Sequence, residues 1–65
     1  MREQGTKVVV RFRVIGSGEL RPVRATLVDG RPVGSFRWVS ERIAELSDGQ
    51  LARFESVRTI EPRHQ

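Results

Sequence analysis

The sequence contains no cysteine and no tyrosine, and only one histidine, one methionine and one tryptophan in 65 residues. Without cysteine, neither a disulfide nor a thiolate metal site can staple the fold. A chain this short buries only about 60% of the surface its unfolded form exposes, so the core must be thin. Association with a second copy or another partner is one way to add buried area, and a homodimer is expected on that ground. Small secreted domains usually carry disulfides, so the expected setting is cytoplasmic. Long apolar runs are missing too: MREQGTK is polar and leads into a brief β-rich stretch, unlike a signal peptide or a membrane span. The length fits one domain over residues 1–65, with 1–6 and 63–65 expected to be frayed tails.

Groups able to carry catalysis are equally scarce. The one imidazole, His64, lies one residue from the end of the chain, where a frayed tail is expected. No His, Cys and carboxylate cluster has metal-ligand spacing. Gly16-Ser17-Gly18 is not followed by the Gly-Lys-Ser/Thr that a phosphate loop needs. Glu41 and Glu45 would stack at i, i+4 on a helix, but beside Arg37 and Arg42 they read as a solvated face. The expectation is therefore a protein with no enzymatic activity, cofactor, metal or small-molecule substrate.

Basic residues are what the chain does have. Eleven Arg and one Lys stand against eight carboxylates, for a net charge of +4. Seven basic and three acidic groups fall in residues 1–34, and five of each in residues 35–65, so the whole excess belongs to the first half. Arg presents a planar fork suited to phosphate or carboxylate. An Arg-rich coding bias would produce the same totals, so position matters more than number.

Alternation places those charges. In KVVVRFRVI, residues 7–15, Val8, Val10, Phe12 and Val14 share one face, and Lys7, Arg11 and Arg13 share the other with Val9 and Ile15. In LRPVRATLV, residues 20–28, Val23, Ala25 and Leu27 point inward while Arg24 and Thr26 point outward. Pro22 donates no ladder hydrogen bond and marks a strand start or an edge. Asp29-Gly30 is a hairpin dipeptide. If these two strands pair, Arg11, Arg13 and Arg24 form one cationic face with Lys7 and Arg21 at its ends, able to follow a phosphate backbone. Ordinary solvating charge on a half-exposed sheet is the competing reading. Only Phe12, Phe36, Trp38 and Phe54 could stack on bases, and most must fill the core. Trp38 is the one expected to be partly exposed and to join Lys7, Arg11, Arg13, Arg21 and Arg24 in contacting nucleic acid.

Residues 31–56 admit two readings. With a period of 3.6, Phe36, Val39, Ile43 and Leu46 make a narrow helical stripe behind Ser35, and Ser47 with Gln50 caps a second short helix bearing Leu51 and Phe54. That gives an α+β alternative, ββα(α)β. As strands, Phe36 and Trp38 share a face, Ser40-Glu41-Arg42 turns, and RIAEL pairs with LARFE across SDGQ. Two strands alone are marginal and need partners, which favours the strand reading.

The end of the chain supports it. LSDGQLARFESVRTIEP, residues 46–62, reads as an Asp-Gly turn, a strand, a one-turn corner through Glu55 and Ser56, and a last strand stopped by Pro62. FESVRTIEP resembles the closing segment of Sm-like and Src-homology-3-like barrels, and is similar to the end of the barrel in WYL-type regulatory domains. Plasmid partition repressors offer a looser likeness, through PVR, a central Trp and a DGQ turn. The N-terminal helix and glycine-rich signatures of Sm proteins have no counterpart here, so the likeness carries a fold and no binding residues. It implies an all-β domain, or β with a short helix near Glu55: a small five-stranded barrel. In such a domain Val10, Phe12, Leu27, Phe54 and Ile60 are expected, on this sequence's own pattern, to be buried.

Two functions from different classes fit these observations. One is a small basic regulatory module that contacts nucleic acid through an Arg-rich sheet face. The other is a protein–protein interaction module: a homodimer, or a phage- or plasmid-type regulator that docks on an acidic surface of a host protein. Exposed edges at the Pro22 strand or residues 57–61, with Val9 and Ile15 as an apolar patch, would serve the second.

Overall fold

The computed structural model describes residues 5–60, and within them the protein is entirely β. Six strands follow in order: β1 (Thr6–Val14), β2 (Leu20–Val28), β3 (Arg31–Gly34), β4 (Phe36–Trp38), β5 (Ile43–Leu46) and β6 (Leu51–Thr59). Each pairs antiparallel with the next, and β6 returns to pair with β1, closing a small barrel. Closure leaves few free edges in a chain that has little else to protect it. Thr6, expected in the leading tail, opens β1 opposite Leu27.

The turns follow from local chemistry. Asp29 and Gly30 both take positive φ, 56° and 77°, as the two central positions of a type I′ hairpin turn do, and Val28 pairs with Arg31 around them. Ser40 Oγ accepts from the backbone N–H groups of Arg42 and Ile43, which tightens the turn between β4 and β5. Pro22 lies inside β2 opposite Arg11, but β3 lines up only with Ala25–Val28. Its missing N–H therefore costs no ladder bond on that side.

The barrel has six strands where five were expected: the chain reverses at Ser35, where Gly34 of β3 pairs antiparallel with Phe36 of β4. At that corner a Cβ on Gly34 would stand 3.0 Å from both the Arg24 carbonyl oxygen and the Phe36 ring. The close approach of β3 to β2 is tight for a side chain here, and a neighbour would have to give by a few tenths of an ångström.

The helical reading of residues 36–56 is not what forms. Phe36 pairs with Leu46, Trp38 with Ala44, and Ala44 in turn with Ala52. Ala44, Leu46 and Ala52 are buried through this pairing. Tertiary burial overrides the helical propensity of ERIAEL, which an isolated turn of helix could not match.

Val8, Val10, Phe12 and Val14 of β1 form the spine of the core, fully buried as their alternation predicts. All four aromatic residues join them. Phe12 lies 5.0 Å from Phe36 and 5.8 Å from Trp38 between ring centroids, and Trp38 lies 6.1 Å from Phe54. The edge-to-face geometry of the Phe12–Phe36 and Trp38–Phe54 pairs adds to simple area burial. Leu27 and Phe54 pack against this core partly buried. Val10 and Phe12 meet expectation fully; Ile60 does not.

Ile60 is 39% exposed, and the reason is a bulge. Arg11 pairs with Ser56 but Phe12 pairs with Phe54, so Glu55 is an extra residue in β6. The corner expected as a helical turn at Glu55 is this bulge inside one continuous strand. A one-residue insertion moves every later side chain to the opposite face. Phe54 points inward, yet Ser56, Arg58 and then Ile60 take the outer parity.

Candidate nucleic-acid interface

The bulge that turns Ile60 outward also assembles a strongly basic surface. β1 is flanked by β2 on one side and β6 on the other, and the outer residues align in rows: Arg24, Val9 and Arg58; Pro22, Arg11 and Ser56; Leu20, Arg13 and Arg53. Neighbouring strands stand about 4.8 Å apart, and alternate residues along a strand about 7 Å. Lys7 extends the surface beside Thr26. Six cationic side chains, Lys7, Arg11, Arg13, Arg24, Arg53 and Arg58, thus share one three-stranded outer face.

Arg53 and Arg58 come from the electrically neutral half of the chain and were absent from the expected site. Five positions apart, they would face opposite ways in a regular strand. The bulge gives them the same face. A signal was present in the sequence: the inward positions of β6 run Ala52, Phe54, then Val57, and a gap of three breaks the period of two.

Electrostatics within the face are uneven. Arg13 donates from Nε to Glu55 Oε2 at 2.9 Å and from its terminal nitrogens to Glu55 Oε1 at 3.2 Å and to the Gly18 carbonyl at 3.0 Å. The Glu55 carboxyl is held below its usual range, first by the hydrogen bond from Arg13 and then by the charges of Arg13, Arg53 and Arg11. Glu55 is therefore an acid inside a ring of three guanidinium groups. The four salt bridges among the described residues involve Arg13, Arg21 and Arg37, and none includes Lys7, Arg11, Arg24, Arg53 or Arg58.

Two residues expected at this face are elsewhere. Arg21 pairs with Phe12 across β1 and β2, which gives it the inward parity at the mouth of the barrel. There it donates to Asp48 Oδ2 at 3.0 Å and to Glu19 Oε1 at 3.3 Å, tying the β5–β6 turn to the start of β2. Trp38 lies on β4 among the aromatic core residues and is half-buried. Its Nε1 donates to the Pro32 carbonyl at 2.9 Å, and the Arg31 guanidinium sits 5.1 Å from its ring centroid. Its polar end and one flank are engaged, so it offers no open stacking platform on the basic face. Lys7, Arg11, Arg13 and Arg24 stand where expected.

At one end of the face, Lys7, Arg24, Ala25, Thr26, Val33, Gly34 and Ser35 line a shallow cavity of about 370 Å³. Among the described residues no three or more His, Cys, Asp or Glu side chains gather as a metal site would need. His64 lies outside the described residues. Among the described residues no helix is long and apolar enough to cross a membrane. No protein-family model, curated protein or solved structure matches the chain.

Proposed function

We propose that this protein is a small, non-enzymatic, cytoplasmic binding module that contacts nucleic acid through the outer face of β2, β1 and β6. The observation that carries the reading is the gathering of Arg11, Arg24, Arg53, Arg58 and Lys7 on adjacent strands, with Glu55 as the acid among them. Guanidinium groups spread over a sheet can neutralise successive phosphates and release their counterions. With no aromatic ring free on that face, base stacking contributes little, and the binding is sequence-tolerant. Phosphate contacts of this kind give dissociation constants of roughly 10⁻⁴ to 10⁻⁶ M at physiological salt.

The test is a titration of labelled duplex and single-stranded oligonucleotides at two salt concentrations, with the parent and an Arg11→Glu, Arg58→Glu double variant. Binding by the parent that weakens steeply with salt, and its loss in the variant, is the expected result. Equal binding by parent and variant, or none by either at low salt, would reject the reading.

A second reading has its own observation. β5 lines up only with Leu51–Arg53 of β6, so the stretch from Ser56 to Thr59 has β1 on one side and an open edge on the other. Val57 and Ile60 are exposed there, at 41% and 39%. Such an edge can take a strand from a second copy or from a host protein, as expected of a homodimer or a small phage- or plasmid-type regulator. An association of that kind would persist at high salt, where phosphate binding fades.

A further inference from the structure

The cavity at the end of the basic face differs in kind from the rest of it. Lys7, Thr26 and Val33 form one row across β1, β2 and β3, with Arg24 one outward position away along β2. Gly34 and Ser35 close the far side, where the chain leaves β3. Gly34 is tightly packed at the corner, where a Cβ would press on the Arg24 carbonyl and the Phe36 ring. The lining therefore brings together two cations, two hydroxyls and the apolar side chain of the half-exposed Val33.

Resting on the proposed nucleic-acid reading, we infer that this cavity seats one nucleotide of a single strand. Its phosphate lies between Lys7 and Arg24, and its sugar and base lie against Val33. Three points support this occupant. Two cations facing one hollow fit a phosphate better than a neutral ligand, and the Thr26 and Ser35 hydroxyls supply further donors. The hollow is shallow and open to one side, so a strand can pass over it and rest one nucleotide there without leaving the face. A duplex keeps the faces of its bases stacked inside and exposes only their edges in the grooves, so it cannot lay a base face against Val33. The remaining outer cations then bind the flanking phosphates, and the cavity sets where along the face the strand is anchored.

The experiment follows backbone amide resonances of the full chain while uridine monophosphate, uridine and inorganic phosphate are titrated separately. A second arm measures binding of a single-stranded octamer and its duplex to the parent, Arg24→Gln and Val33→Asp. Saturable shifts confined to Lys7, Arg24–Thr26 and Val33–Ser35 are expected with the monophosphate, smaller ones with phosphate and none with uridine. Arg24→Gln should weaken the monophosphate about tenfold or more. The octamer should bind the parent several-fold tighter than the duplex, against the duplex's greater charge density. Val33→Asp should remove that preference. If oligonucleotides bind but the monophosphate shifts are absent or spread over the whole face, the cavity inference falls and the basic face stands. If the monophosphate saturates the cavity while no oligonucleotide binds, the nucleic-acid reading falls and the cavity survives as a mononucleotide site. If nothing binds, both fall.

Discussion

Arg13 holds Glu55 at two points across the bulge, Nε to Oε2 at 2.9 Å and a terminal nitrogen to Oε1 at 3.2 Å. Both side chains are largely exposed, at 45% and 39%, so the pair adds little to stability. Its larger effect is on the charge of the face, because Glu55 offsets one of the surrounding guanidinium groups. Glu55→Gln should therefore tighten binding of a single-stranded oligonucleotide and steepen its salt dependence, with the melting temperature nearly unchanged. Fluorescence anisotropy at two salt concentrations checks this. Unchanged affinity would show that strands do not cross the bulge.

Core and outer parity should separate cleanly by mutation. Phe12 is fully buried against Phe36 and Trp38. Phe12→Ala should cost about 3 to 5 kcal/mol, enough to unfold most of a domain this small. Ile60→Ala, on the outer side of the bulge, should cost about 1 kcal/mol or less. Denaturant melts of the two variants measure both, and equal losses would mean that Ile60 is covered in solution.

A side chain at Gly34 should strain the corner between β2 and β3. A methyl group there would stand 3.0 Å from the Arg24 carbonyl, a backbone atom that cannot turn aside, and 3.0 Å from the Phe36 ring. Gly34→Ala should destabilise by about 1 to 3 kcal/mol, as overpacking generally does. Thermal unfolding followed by circular dichroism checks it, and a melting temperature equal to the parent's would show that β2 and β3 can separate at no cost.

Acid should loosen the barrel mouth. The Asp48 carboxyl is lowered to about 2, first by the hydrogen bond from the Gln50 N–H and then by Arg21. A folded pKa below the unfolded value means that the contribution is present above about 4 and is lost as the pH falls toward 2. The parent's melting temperature should drop between pH 4 and pH 2. Asp48→Asn, which has no charge to lose, should show a shallower drop over that window. Parallel curves for the two proteins would remove Asp48 from the acid response.

The strands could be read wherever burial follows a strict period of two. Val8, Val10, Phe12 and Val14 alternate without a break, so β1 and its outer charges Lys7, Arg11 and Arg13 were legible, as was the Asp29-Gly30 turn. Arg24 followed from the same alternation in β2. Arg21 could not be placed this way, because its partner Asp48 is brought to it only when the β5–β6 turn folds over the barrel mouth. Trp38 was read as partly exposed, and it is; what holds it is the Pro32 carbonyl and three phenylalanine rings, two of them distant in sequence.

Sequence by itself determined two strands with an inner apolar row and an outer basic row, and the tight Asp29-Gly30 turn, since local alternation and turn chemistry need no distant partner. Residues 31–56 it left open between strand and helix. Tertiary structure decided the composition of the basic face. Arg53 and Arg58 join it only because barrel closure sets β6 beside β1 and because the Glu55 bulge reverses parity between them. Both effects depend on pairing between residues more than forty positions apart, which no local period encodes.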